Sequence, residues 1–184
     1  MFQFIIISVT GLIISYLSGS VNYAILVTRL VSKKDIRTMG NKNPGTSNVM
    51  RSVGKPWGFL VGFLDAFKAM APLILFHLLY FKETNNLNFA LLYLLGMAAV
   101  LGHCKPVFFG FKGGGGIGTM QGVSLFFIPV EYLISMFISG IIVLIFFKKT
   151  KHKLSQWTPI LFVTLTPFLT MGLNPFINIP LFAH

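Results

Sequence analysis

The chain has 184 residues, of which 54% are hydrophobic and only 10% charged, with twenty phenylalanines and a mean hydropathy of +0.78. A soluble domain of this length cannot bury that much apolar surface, so an all-α integral membrane protein is expected. The formal charge of +11 does not call for nucleic acid, because the cations sit at the ends of apolar runs, where anionic lipid headgroups attract them.

A spanning helix needs about 20 apolar residues, which leaves room for roughly six spans in a single domain over 1–184. Apolar runs predict helices at 2–31, 57–81, 89–101, 117–129, 132–147 and 157–173. No period-two alternation suggests a barrel. The first run opens without a basic leader region, so it is expected to remain as a span and not to be a signal peptide. It exceeds one span and holds Gly19-Ser20, where a kink is expected. The third and fourth runs are short, and the glycine-rich segment between them is expected to re-enter the protein and line a cavity. Of the fifteen Lys and Arg residues, all but Lys68 and Lys82 fall in or beside the first, third and fifth inter-helix segments. Those segments are expected to be cytoplasmic and both termini outside.

The first cytoplasmic loop runs through Arg37, Gly40, Asn41, Lys42, Asn43, Pro44, Gly45, Thr46, Ser47 and Asn48 to Arg51. It is rich in donors and poor in acceptors, which suits an oxyanion. Gly and Asn allow the backbone turns that aim successive amides at one point, and Arg grips two phosphate oxygens at once. An ordinary polar turn uses the same residues. The second loop carries Gly102-His103-Cys104-Lys105-Pro106, then Lys112 and the run Gly113, Gly114, Gly115 and Gly116 before a helix start. Bare amides at a helix N-terminus favour negative charge. No Lys-Ser or Lys-Thr follows the glycines, so this is not a Walker A loop, and a flexible hinge is the alternative. Phe108, Phe109 and Phe111 beside Lys112 fit a site that holds a fatty chain and a phosphate together.

Asp65 and Lys68 lie three apart inside the second span, as a packing pair or a functional ion pair, with packing the favoured reading. Glu131, after Pro129, reads as a solvated end residue in a short turn, and His77 as structural. No carboxylate and histidine spacing suggests a metal site, and no cofactor is expected.

Gly19-Ser20, the loop from Gly40 to Arg51, Asp65-Ala66-Phe67-Lys68, Leu101-Gly102-His103, Pro106-Val107-Phe108 and Phe111-Lys112-Gly113-Gly114 resemble the bacterial acyl-phosphate-dependent glycerol-3-phosphate acyltransferases of the PlsY type. The resemblance covers about residues 18 to 123, in order and with matching spacing. It implies a compact bundle of membrane helices in the bacterial plasma membrane, with cytoplasmic loops that hold acyl phosphate and glycerol 3-phosphate. It also implies acyl transfer to the 1-hydroxyl of sn-glycerol 3-phosphate, giving lysophosphatidic acid without coenzyme A or metal. On this resemblance Lys112, His103 and Ser155 are assigned to catalysis. Asn41, Asn43, Gly45, Thr46, Asn48, Arg51, Lys105, Gly113, Gly114, Gly115 and Gly116 are assigned to substrate binding. Membrane lipids and other phospholipid-synthesis enzymes are the further partners it suggests.

The chain departs from the family pattern at Asn41, where serine is usual, and at Gly115, where lysine is usual. No stretch after Ser155 matches well the family's third motif, which contains His and Asn. Two readings follow: an active acyltransferase in which Lys112 or Lys105 replaces the missing lysine, and a non-catalytic paralogue that binds phospholipid precursors or partners an active enzyme. A transporter is a distant third, since no internal repeat or paired broken helix is visible.

Overall fold

The computed structural model describes residues 2–81 and 86–146, together with a few helical positions between 161 and 168. Every regular element among the described residues is helical. The first apolar run forms α1 (Phe2–Ser20) and α2 (Tyr23–Ser32). The expected kink at Gly19-Ser20 is a full break just beyond it. There Asn22 turns extended, and its Oδ1 accepts the Ile25 N–H at 3.1 Å, which satisfies one of the amides that a helix start leaves open. After a 3-10 turn at Ile36–Thr38 come α3 (Thr46–Ser52) and α4 (Lys55–Leu79). Then follow α5 (Asn86–Cys104), a second 3-10 turn (Val107–Phe109), α6 (Ile117–Phe127) and α7 (Pro129–Phe146).

Four stretches among the described residues are long and apolar enough to cross a membrane: Phe2–Ser32, Lys55–Leu79, Leu87–Phe109 and Pro129–Phe146. The third apolar run is therefore not short. Asn86, Leu87, Asn88 and Gly102 to Cys104 continue the helix, because two asparagines and a glycine weaken helical propensity without ending it. The fourth run does stay short as α6. Pro129 opens α7 instead of closing α6, as suits a residue with preset φ and no N–H to satisfy. Glu131 consequently lies in the first turn of α7 and is buried, not solvated. Most of the sixth run, and Ser155 with it, lies outside the described residues.

The described residues up to Val123 and those from Ser124 onward belong to two compact units. In the first, α1 packs inside-out relative to a helix of a soluble protein, against a unit that also buries an apolar core including Ile25, Leu73 and Leu95. On α1 the buried positions are Ser8, Gly11, Ser15, Gly19 and Ser20, while Ile5, Val9, Ile13 and Leu17 are exposed. Lipid tails are as apolar as leucine, so membrane helices associate through small residues that let backbones approach. The crossing of α1 and α5 shows this directly. A Cβ on Gly19 would strike the Ala99 carbonyl, and one on Gly102 would strike the carbonyl of Tyr16.

Candidate active site

The helix break and the α1–α5 crossing together create a buried polar centre. Val21, between α1 and α2, has a carbonyl that no helix uses, and it accepts from Lys68 Nζ on α4 at 2.6 Å. The same ammonium lies 2.8 Å from Asp65 Oδ1, 3.0 Å from His103 Nδ1 and 5.6 Å from the centroid of the Tyr23 ring. Asp65, Lys68 and His103 are respectively 1%, 3% and 2% exposed. A lone charge at that depth costs several kcal/mol, so the pairing and the carbonyl contact are what allow it.

The first loop is built by its own side chains. Asp35 caps the 3-10 turn by accepting the Arg37 N–H at 3.0 Å and binds Arg29 and Arg37 at 2.7 and 2.8 Å. The hydrogen bond from the Arg37 side chain, outweighing partial desolvation, holds the Asp35 carboxyl far below the usual carboxylate range, and Arg29 adds to the effect. Asn48 is buried and gathers the loop, donating its amide to the carbonyls of Met39 at 2.9 Å and Asn43 at 3.0 Å. Asn41 Oδ1 accepts the Asn43 N–H at 3.2 Å, an Asx turn that leaves both asparagines exposed.

The second loop folds back on the last turn of α5. The N–H groups of Gly113 and Gly114 donate to the carbonyls of Cys104 and His103 at 3.3 and 3.2 Å. Side chains are excluded there: a Cβ on Gly114 would strike His103 Nε2 and come within 2.7 Å of the Pro44 carbonyl. The loops therefore meet at Pro44 and Gly114, above His103. A second junction joins Arg37 Nη1 to the Phe109 carbonyl at 3.4 Å. At a third, a Cβ on Gly118 would lie 3.6 Å from Thr46 Oγ1 and 3.7 Å from Asp65 Oδ2.

The structure thus brings together His103, Gly113, Gly114, Thr46 and Pro44 with Asp65 and Lys68. Asn41, Asn43, Arg51, Lys105, Lys112 and Gly115 are exposed, with the Lys105 carbonyl held by the Tyr16 hydroxyl at 2.8 Å. Gly45 is the N-cap of α3, and Gly116, buried with a φ of 79°, precedes α6. Asn48 serves the loop's internal hydrogen bonding. Sequence reasoning treated Asp65 and Lys68 as a pair and His103 separately. The signal that links them is weak: two intramembrane charges, and a histidine at a helix end 35 positions on.

A family model described as glycerol-3-phosphate acyltransferase matches residues 9–183. The chain belongs to the glycerol-3-phosphate acyltransferase family. Among relatives so named, one from Mycoplasma mycoides subsp. mycoides SC is 37% identical over 122 residues, covering 66% of this chain and 47% of the relative. One from Legionella pneumophila (strain Corby) is 36% identical over 173 residues, covering 93% of this chain and 58% of its own. This family member thus spans about half the length of the curated relatives it matches. A crystal structure of PlsY (YgiH), an integral membrane glycerol 3-phosphate acyltransferase in its glycerol 3-phosphate form, is 29% identical. It superposes with a TM-score of 0.64 over 91% of this chain and 90% of that one. The lysophosphatidic acid form gives 28% and 0.62. The family relationship and the apolar helices together make this a membrane-embedded, multi-pass protein.

Proposed function

We propose that this acyltransferase-family chain moves a fatty acyl group from acyl phosphate to the 1-hydroxyl of sn-glycerol 3-phosphate, releasing inorganic phosphate and lysophosphatidic acid. The observation that carries the reading is the meeting of two donor-rich loops at Pro44 and Gly114, directly over the buried Asp65, Lys68 and His103. Both substrates are phosphate anions. In the first unit the described carboxylates, Asp35 and Asp65, are ion-paired, so the exposed cations Lys42, Lys105 and Lys112 of the two loops leave the site positive. The one-sided distribution of basic residues supports a cytoplasmic site in a bacterial plasma membrane.

Acyl phosphate is already activated. The hydroxyl oxygen attacks the acyl carbonyl carbon, the bond from that carbon to the bridging phosphate oxygen breaks, and the hydroxyl proton ends on the released phosphate. The protein needs to align the two reactants and stabilise the oxyanion and the leaving phosphate, without a covalent nucleophile. Exposed Phe108 and Phe111, next to Lys112, suit the junction of the acyl chain with its phosphate.

The test is purified protein in lipid with acyl phosphate and labelled glycerol 3-phosphate. Labelled lysophosphatidic acid and stoichiometric phosphate are expected. Binding of glycerol 3-phosphate with no product from donors of any chain length overturns the transfer reading and leaves a precursor-binding protein.

A further inference from the structure

Lys68 Nζ makes three contacts: Val21 O at 2.6 Å, Asp65 Oδ1 at 2.8 Å and His103 Nδ1 at 3.0 Å. An ammonium has three N–H bonds and no lone pair, so it can only donate. His103 Nδ1 must then present its lone pair. A neutral imidazole carries one proton, which leaves that proton on Nε2. A doubly protonated ring would press a second cation against Nζ with a single carboxylate to balance both. Asp65 Oδ1 lies 3.6 Å from Nδ1, beyond hydrogen-bond reach. The centre is therefore not a dyad in which a carboxylate accepts the Nδ1 proton and readies Nε2 to act as a base.

The direction of Nε2 is set independently. The His103 carbonyl accepts the Gly114 N–H at 3.2 Å, and Nε2 is the atom that a side chain at position 114 would strike, beside the Pro44 carbonyl. The ring thus points at the junction of the two loops. We propose that Lys68 is a positioning residue that locks His103 in its Nε2–H tautomer, so that His103 offers a hydrogen-bond donor, not a base, to an oxyanion of the bound substrate. Asp65 has the companion task of keeping Lys68 an ammonium. The catalytic half of this inference rests on the acyltransferase reading; the tautomer does not.

Two experiments separate the parts. First, protein labelled with nitrogen-15 histidine is reconstituted in lipid nanodiscs at neutral pH, and the His103 signal is assigned by its loss in His103→Gln. An unprotonated Nδ1 and a protonated Nε2 are expected. The opposite tautomer or an imidazolium overturns the proposal, whether or not the protein turns over. Lys68→Met, provided that it folds, should let the Nδ1–H form appear; an unchanged spectrum removes Lys68 from the role. Second, neither Gln nor Asn can act as a base at 103, but the Gln amide reaches the position of Nε2–H and the Asn amide stops short. With acyl phosphate and glycerol 3-phosphate, His103→Gln should retain kcat within about tenfold, whereas His103→Asn should lose about 100-fold or more, the scale of one lost oxyanion donor. Equal losses in both variants overturn the donor role. Absence of turnover in the native protein sinks the acyl-transfer reading, while the spectrum still decides the tautomer.

Discussion

Gly114 and Gly115 are adjacent, yet a side chain meets opposite surroundings at the two positions. At 114 a Cβ runs into His103 Nε2 and the Pro44 carbonyl, whereas at 115 nothing lies within 4 Å. Gly114→Ala should therefore separate the loops and cut acyl transfer by about tenfold or more, while Gly115→Ala stays within about twofold, since overpacking costs roughly 1–3 kcal/mol only where atoms are already in contact. Steady-state kinetics on the two variants checks this, and equal effects would mean that the loops do not meet as described. Gly115→Lys fits the same open space. A mobile cation there should stabilise developing negative charge, a contribution commonly of about 2.7–4 kcal/mol, and raise turnover. If it slows the proposed transfer, Lys105 or Lys112 already supplies that charge. Arg51→Ala and Lys112→Ala should each weaken glycerol 3-phosphate binding about ten- to a hundredfold, since a charge-assisted contact is worth about 1.5–3 kcal/mol. Calorimetric titration of folded variants reads the effect directly, and unchanged affinity in both excludes them from the phosphate site.

The elements that shape the site were partly legible in advance. Gly19-Ser20 marked the place where the first helix fails, because only small residues let α5 come so close. The break itself falls at Asn22, whose capping role is visible only once the chain has turned. The third apolar run was read too short because Asn86, Asn88 and Gly102 look like boundary residues, and tertiary packing against α1 overrides their weak propensity. The loop before α3 has a local electrostatic signature. Asp35 is held ionised by Arg37 first and Arg29 second, so its folded pKa lies below its unfolded value. A depressed carboxylate pKa gives stability that is complete above the unfolded value of about 4 and is lost as pH falls below it. The effect should be small, about 0.2–1 kcal/mol per exposed pair. Proteolytic protection of the 33–45 loop should be flat from neutral pH to about 5 and then fall at lower pH. Asp35→Asn should lower protection at neutral pH and remove that acid step. An acid step of the same size in the variant would assign it to another group.

At the scale of the whole molecule, the two donor-rich loops were legible in the sequence, whereas the way they are held together was not. Donor-rich loops are recognisable because Gly, Asn and basic residues cluster in a few consecutive positions. The joining of Lys68 to His103 and to the Val21 carbonyl depends on three helices meeting, and no local pattern encodes that. Orientation is the complementary case: charge asymmetry bears on it, and helix packing does not. If Lys33, Lys34, Arg37, Lys42, Arg51, Lys55, Lys105 and Lys112 mark the cytoplasmic side, both donor-rich loops face the cell interior, the side from which the proposed reaction would draw glycerol 3-phosphate, its water-soluble reactant. In a Cys104→Ser background, an impermeant thiol reagent added to intact cells should modify Asn85→Cys and spare Lys42→Cys, which becomes reactive only after the membrane is opened. The reverse pattern would turn the loops outward. The polar centre under Gly114 would keep its chemistry, but the supply of phosphate substrates from the cytoplasm, and with it the proposed reaction, would have to be abandoned.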